Sequence, residues 1–439
     1  MVEEYARVVG KTSSSNWVVE MEKMIEDTSL SAEKVRWKKT SIYRVPEWHK
    51  DLSNRKAYRP WLVSLGPFHH GETNLMPMEE HKRRAVLHLV KRARRPFREF
   101  VVAIEAVADK LLDAYQGLDE KWRGENRGSF VEMMVTDGCF FLEVERTFKL
   151  AMEDEADDDY AANDPVFSKH GLHYLFGAIQ VDMVVIENQL PLLVLERLVA
   201  VQHGIPLSPR EINKMVQRLL VTSELPVMHD LGLHPLDIYH NSFCGGRRQH
   251  KESDEGDFII PTAVELSEAG VHLTAINTPS VHDVNFENGT LSIPVLFVDE
   301  ITEKKFLNLT VFEQLYSDAG RDITNYLFFM DHIIDSERDV ALLRSKGIIK
   351  SLCGSDKEVA VLFNNWIKGT TANANTKLQE VKHKVNAHCA RRRNKWRSIF
   401  VQAYLSNPWV FISLVAAVTL LVATLLQTIY TVVPYYTKN

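Results

Sequence analysis

The sequence predicts a mainly α-helical globular domain with a small β-hairpin element, followed by one C-terminal transmembrane helix. Three observations carry that expectation. Apolar residues recur at helical spacing through most of the chain, one late segment alternates instead, and one stretch of 22 residues holds no charge. With 439 residues, 45% of them hydrophobic and 25% charged, the chain can bury a large core.

Residues 1–35 read as a polar, flexible segment, with no apolar run long enough for the core of a secretory signal. In MEEHKRRAVLHLVKRA, Val86, Leu89, Val90 and Ala93 fall on one side and basic residues on the other, so a helix is expected to end near Pro96. A second helix should run through Phe100 to Tyr115. Helical spacing returns at residues 130–150, 172–201 and 209–221. The acidic stretch AMEDEADDDYAANDP, near residues 152–165, lacks the glycine and terminal glutamate of a calcium loop and reads as a solvated insertion. A second polar insertion is expected at residues 240–257. After it, VHDVNFENGTLSIPVLFV alternates around Asn288-Gly289, a type I′ hairpin signal, and Pro294 should confine its strand to a sheet edge. Helices follow at 303–315, 323–334 and 357–367, and a long one from Thr376 that continues toward the anchor. Residues 36–405 are taken as one domain.

The anchor is residues 409–430. As a helix it spans about 33 Å, against a hydrocarbon core of roughly 30 Å. Twelve of its residues are Leu, Ile, Val or Phe, worth about 4 to 7 kcal/mol of insertion before the polar residues count against it. Upstream, KHKVNAHCARRRNKWR carries seven basic residues and no acid, whereas only Lys438 is basic in the short tail 431–439. The positive-inside rule therefore places the large part in the cytosol and the tail across the membrane. Arg391, Arg392, Arg393, Lys395 and Arg397 would meet anionic lipid headgroups. Sequons at Asn288 and Asn308 are usable only in the reverse topology.

Composition and motifs exclude more than they name. A net charge of −6 gives no argument for nucleic acid, and the basic run KRARRPFR lacks the context of known RNA modules. Cys139, Cys244, Cys353 and Cys389 lie far apart, which suits free thiols better than a disulfide framework or a zinc site. In LGPFHHG, His69 and His70 are consecutive and point apart, so they make poor partners for Glu72, Glu79, Glu80 or His81 around a metal. Ser64 has no nucleophile elbow. In VDMVVIENQLPLLVLERL, Glu187, Asn188 and Gln189 interrupt an apolar run and must be satisfied if buried, while Pro191 breaks the helix. Structure is favoured over catalysis for this block. No cofactor is implied.

Several blocks taken together resemble the plant family catalogued as domain of unknown function 247. They are Ile42, Pro46, Tyr58, Pro60, Ser64, Gly66, Pro67, His69, Glu79 and Lys82, then Asp137-Gly138 within DGCFFLE. Asp182 with ENQLP (Glu187, Asn188, Gln189, Pro191) follows, then ELSEAGV, LSIPVLFVD, NLTVFEQ with Glu313 and Gln314, and finally Pro408, Trp409 and Gln427. The sequence departs from the pattern at Leu307 and in HDLGLHPLDIY. The resemblance implies a plant protein with a C-terminal membrane segment and no established enzymatic activity; some grass members are linked to self-incompatibility as recognition candidates. Two functions follow as expectations: a membrane-tethered, non-enzymatic interaction or recognition protein, or a membrane-anchored hydrolase using Asp137, Asp182 or Glu187 with His69.

Overall fold

A computed structural model describes residues 16–27, 37–155, 159–221, 225–245, 259–278, 280–352, 354–370, 376–391 and 408–437. Helices dominate it, as the apolar spacing requires. The first 35 residues are not uniformly loose, because α1 occupies Asn16–Asp27. An irregular strap, residues 41–71, follows; it contains the short α2 (Glu47–Leu52) and a 3-10 turn, Arg55–Tyr58. Next come α3 (Pro77–Ala93), α4 (Phe97–Glu105) and α5 (Ala108–Asp113). The helix expected from Phe100 to Tyr115 is thus two helices, broken at Ala106 and Val107.

The centre of the first half is α6 (Arg127–Met152), about 39 Å long. Phe130, Met134, Phe140, Phe141 and Val144 bury it on several sides, and α3, α4 and α8 pack round it. Gly138 makes the closest of these contacts possible. A Cβ there would lie 2.4 Å from Leu198 Cδ1 and 2.7 Å from Val194 Cγ1. The acidic stretch after α6 is not wholly solvated: Asp164 is buried and accepts from the Val166 and Phe167 N–H groups.

Helical spacing over 172–201 resolves into α7 (Lys169–Asp182) and α8 (Leu192–His203), which starts directly after Pro191, so the break expected at that proline begins already at Met183. Residues 183–191 between them are non-helical yet buried throughout. Such a segment survives only if its backbone groups find partners. Helix α9 (Pro209–Leu220) carries the full set of start signals, with a Ser208/Glu211 capping box and Pro209 at its first position. Helix α10 (Pro235–Cys244) corrects the second insertion: His240, Asn241, Ser242 and Cys244 are buried helix, and the polar break starts after them. Residues 246–258 lie outside the described residues.

After α11 (Ala263–Glu268) come β1 (His272–Ile276), β2 (Asn285–Glu287) and β3 (Thr290–Pro294), in the spatial order β1-β3-β2. The β2–β3 hairpin turns at Asn288 and Gly289, with φ of 51° and 80°, as a type I′ turn demands. Pro294 does not mark an edge strand. β3 is central, but β2 reaches only as far as Ser292, so Pro294 faces β1 alone and no β2 carbonyl needs its missing N–H. β4 (Leu296–Val298) then pairs in parallel with β5 (Ile349–Ser351), 53 residues later in the chain at their starts. Helices α12 (Thr302–Leu315), α13 (Asp322–Ile333), α14 (Glu337–Ser345) and α15 (Asp356–Trp366) complete the second half. One contiguous apolar cluster runs from Ile42 to Val385.

Helix α16 (Thr376–Cys389) carries the first half of the basic stretch and ends before its arginine cluster, of which Arg392 to Arg397 lie outside the described residues. The last helix, α17, spans Pro408–Thr437. Within it Trp409–Tyr430 has a mean hydropathy of 2.5 and no buried share, and it is long and apolar enough to cross a membrane.

Candidate functional site

The strap has little regular structure, so its buried N–H groups lack strand or helix partners, and side chains supply them. Asp182, at the end of α7, accepts from three consecutive amides: Trp61 and Leu62 at 2.7 Å and Val63 at 3.0 Å. Asn188 accepts from Leu65 N–H at 2.7 Å and donates to the Val63 and Asp182 carbonyls, both at 3.0 Å. Glu187 accepts from Val45 N–H at 2.7 Å and faces Lys50 Nζ at 2.9 Å. Gln189 holds its own loop, donating to the Met183 and Val185 carbonyls, and accepts from Leu236 N–H. Asn308, on α12, accepts from Ile186 N–H at 2.9 Å and donates to Ala57 and Lys304 carbonyls.

A second node lies under the Gly-Pro bend. Asp137 accepts from Gly66 N–H at 2.8 Å and from Lys82 Nζ at 2.7 Å; Lys82 also donates to Glu79 and Ser64. Gly66 has φ +74°, and a Cβ on it would sit 2.6 Å from the Gln189 carbonyl oxygen, so no other residue fits. Pro67, next in the chain, and Pro60 are buried, Tyr58 shares a 3.0 Å hydrogen bond with Ser53, and Pro46 and Pro191 stand at the N-caps of α2 and α8.

Burial pushes the Asp182 and Asp137 carboxyls above the usual range, against the backbone N–H groups and lysines that favour their charge. Burial likewise lowers Lys304 to about 8, partly offset by Asp182, whose Oδ1 is 3.7 Å away. Lys304 also donates to the Arg59 carbonyl at 2.6 Å and lies 4.2 Å from the Trp61 ring centroid.

The two histidines of the bend separate, as their adjacency requires. His69 is buried, with Nδ1 2.8 Å from Glu72 and Nε2 3.7 Å from Glu187 Oε2; exposed His70 packs edge-on to Trp122. Among the proposed hydrolase groups only Glu187 and His69 are thus within reach of each other. Glu79 is engaged by Lys82 and Ser64, so the metal donors considered around the bend do not converge on it.

Sequence reasoning missed one cluster. His240 and Cys244, one turn apart on α10, meet Glu313 of α12; the three ligand atoms lie within 4.8 Å of one another and could hold a metal. Glu313 accepts from Ile323 and Thr324 N–H at 2.9 and 2.8 Å, and from His240 at 2.8 Å. Burial disfavours the His240 charge, but Cys244 and Glu313 hold its pKa well above the usual value. Burial raises the Cys244 thiol to about 11. The one available signal was the i, i+4 spacing of His and Cys on an apolar helix. Gln314, its neighbour, has a buried Nε2 with no partner among the described residues.

A family model described as a plant protein of unknown function, DUF247, matches residues 42–423. The chain belongs to this family. It is 29% identical over 427 residues to UPF0481 protein At3g47200 of Arabidopsis thaliana, covering 90% of this chain and 86% of that one. A second UPF0481 protein of that plant, At3g02645, is 30% identical over 173 residues, 39% of this chain and 33% of its own. No solved structure matches the chain. Within this DUF247 chain, the match opens at Ile42, which bridges to Tyr115, three residues before the strap's Val45 N–H meets Glu187.

Proposed function

We propose that this DUF247 protein is a membrane-tethered, non-catalytic interaction protein, whose domain presents a binding surface and carries out no chemistry. The carrying observation is how the motif acids are used. Asp137, Asp182 and Glu187 are buried, and each spends its oxygens on backbone N–H groups and lysines that fix the strap. A general base needs a lone pair open to substrate, which these carboxylates lack. The strap they hold turns Trp48, Leu52 and Trp61 outward, and exposed tryptophans of this kind anchor protein partners.

The tether is the exposed apolar helix Trp409–Tyr430. Its basic upstream flank supports a cytosolic domain, with the arginines from Arg391 on anionic headgroups at about 1 kcal/mol each. Recognition in signalling or self-incompatibility fits a tethered binder of this kind. The test is co-purification from native tissue with wild-type and Trp48→Ser/Trp61→Ser chains. Partners that wild type retains and the folded double variant loses support the reading. A turnover activity that Glu187→Gln abolishes with unchanged thermal stability overturns it.

A further inference from the structure

A cavity of about 510 Å³ lies between α10, α12, α13 and the β3–β4 segment. Sites of roughly 300–1,000 Å³ take drug-sized ligands. Its wall is mostly apolar, including Leu220, Phe243, Val281, Leu296, Phe306 and Leu309. The exposed ring of Phe297 belongs to the wall, so the cavity reaches solvent.

Three polar heads on that wall make no hydrogen bond or ion pair among the described residues. Tyr239 and Tyr326 are only 7% and 2% exposed, yet neither hydroxyl has a hydrogen-bond partner among the described residues. The third is Lys305, which makes no ion pair or side-chain hydrogen bond among the described residues; its Nζ lies 5.8 Å from the Tyr239 ring centroid. Burial holds the Lys305 pKa below the ordinary value, with Asp299 acting against it. Asp299, the acid among the lining residues, has its Oδ1 turned to the start of α12, where it accepts from Ile301 N–H and the Thr302 hydroxyl. At the exposed edge, Lys350 Nζ lies 5.1 Å from the Phe297 ring centroid and adds positive charge there.

An ammonium can only donate, and each phenol has a proton to give. Three donors on one apolar wall therefore call for an acceptor that brings its own apolar body. A hydrated inorganic anion would leave that wall wet, and a neutral hydrocarbon would leave the donors unpaired. We propose that the cavity binds a small monocarboxylic acid with an aromatic or branched aliphatic body, its carboxylate held by Lys305 and the hydroxyls of Tyr239 and Tyr326. The proposal rests on the reading of the domain as a non-catalytic binder and names a ligand class for it.

The test uses the full-length chain in lipid nanodiscs, with empty nanodiscs as the blank. Titration calorimetry is run with 2-naphthoate, 4-tert-butylbenzoate and 2-ethylhexanoate, each against its neutral amide. At least one acid should bind with Kd below about 1 mM and about tenfold tighter than its amide. Lys305→Met should weaken that acid about tenfold and leave the amide unchanged, while Tyr239→Phe/Tyr326→Phe weakens it further. Lys305→Gln serves if the methionine variant does not keep its circular dichroism spectrum. No binding by any acid, equal binding of acid and amide, or indifference to both lysine variants would overturn the assignment. Conversion of a bound acid to product would instead sink the non-catalytic reading and leave the cavity's ligand class standing.

Discussion

Asp182 takes three successive strap amides on one carboxylate, an arrangement that fixes the path of Trp61, Leu62 and Val63 more firmly than any apolar contact could. Orphaning a buried donor costs about 1–3 kcal/mol, so Asp182→Ala, which orphans three, should lower the unfolding free energy by about 3–9 kcal/mol. Asp182→Asn keeps one acceptor oxygen and should lose less; chemical denaturation of the two variants checks the order. Equal losses would mean that the amides are not what the carboxylate secures. Lys304, beside it, gives a pH signature. Its ammonium is harder to form in the folded chain, so between about 8 and the ordinary 10.5 the unfolded chain binds more protons. Stability conferred through Lys304 therefore rises with pH across that window. The unfolding free energy of wild type relative to Lys304→Met should climb between pH 8 and 10, and a flat difference would show that Lys304 titrates normally.

At the scale of elements, the helices that announce their ends were legible. Serine at 208, proline at 209 and glutamate at 211 give α9 its start, and Asn288-Gly289 gives the hairpin its turn. The break between α7 and α8 was legible only in part. Pro191 and three polar residues say that an apolar run is interrupted there, but Ile186 finds its acceptor on Asn308, 122 residues later, and Leu65 meets Asn188 at a separation of 123. Local spacing holds no record of such partners. The same reason hides the parallel pairing of β4 with β5 and the meeting of His240 and Cys244 with Glu313. Gly138 is a similar case, since a glycine within a long apolar helix reads as a mild defect until α8 is seen lying against it. Gly138→Ala would push into Leu198 and Val194. Overpacking of this kind costs about 1–3 kcal/mol, and Leu198→Ala, which opens space at the same contact, should make the glycine change less costly than in wild type. A double-mutant cycle by thermal unfolding measures that coupling, and purely additive losses would place the strain elsewhere.

For the whole molecule, the domain and the apolar helix make separable demands on topology, and the structure sharpens how the two sequons report on it. Asn308 is fully buried, with its amide donating to Ala57 and Lys304 carbonyls and its oxygen accepting from Ile186, so a glycan there is incompatible with the fold. Asn288 sits exposed at the hairpin turn and is free to carry one. The proposed cytosolic placement keeps both away from the glycosylation machinery, whereas the reverse placement exposes Asn288 alone. Full-length chain expressed in plant cells should therefore pellet with membranes, be released by detergent but not by alkaline carbonate, and show no mobility change on glycosidase treatment. A mobility change that Asn288→Gln removes and Asn308→Gln does not would turn the domain to the other side of the membrane. The basic residues at Arg391 and beyond would then need a partner other than cytosolic lipid headgroups.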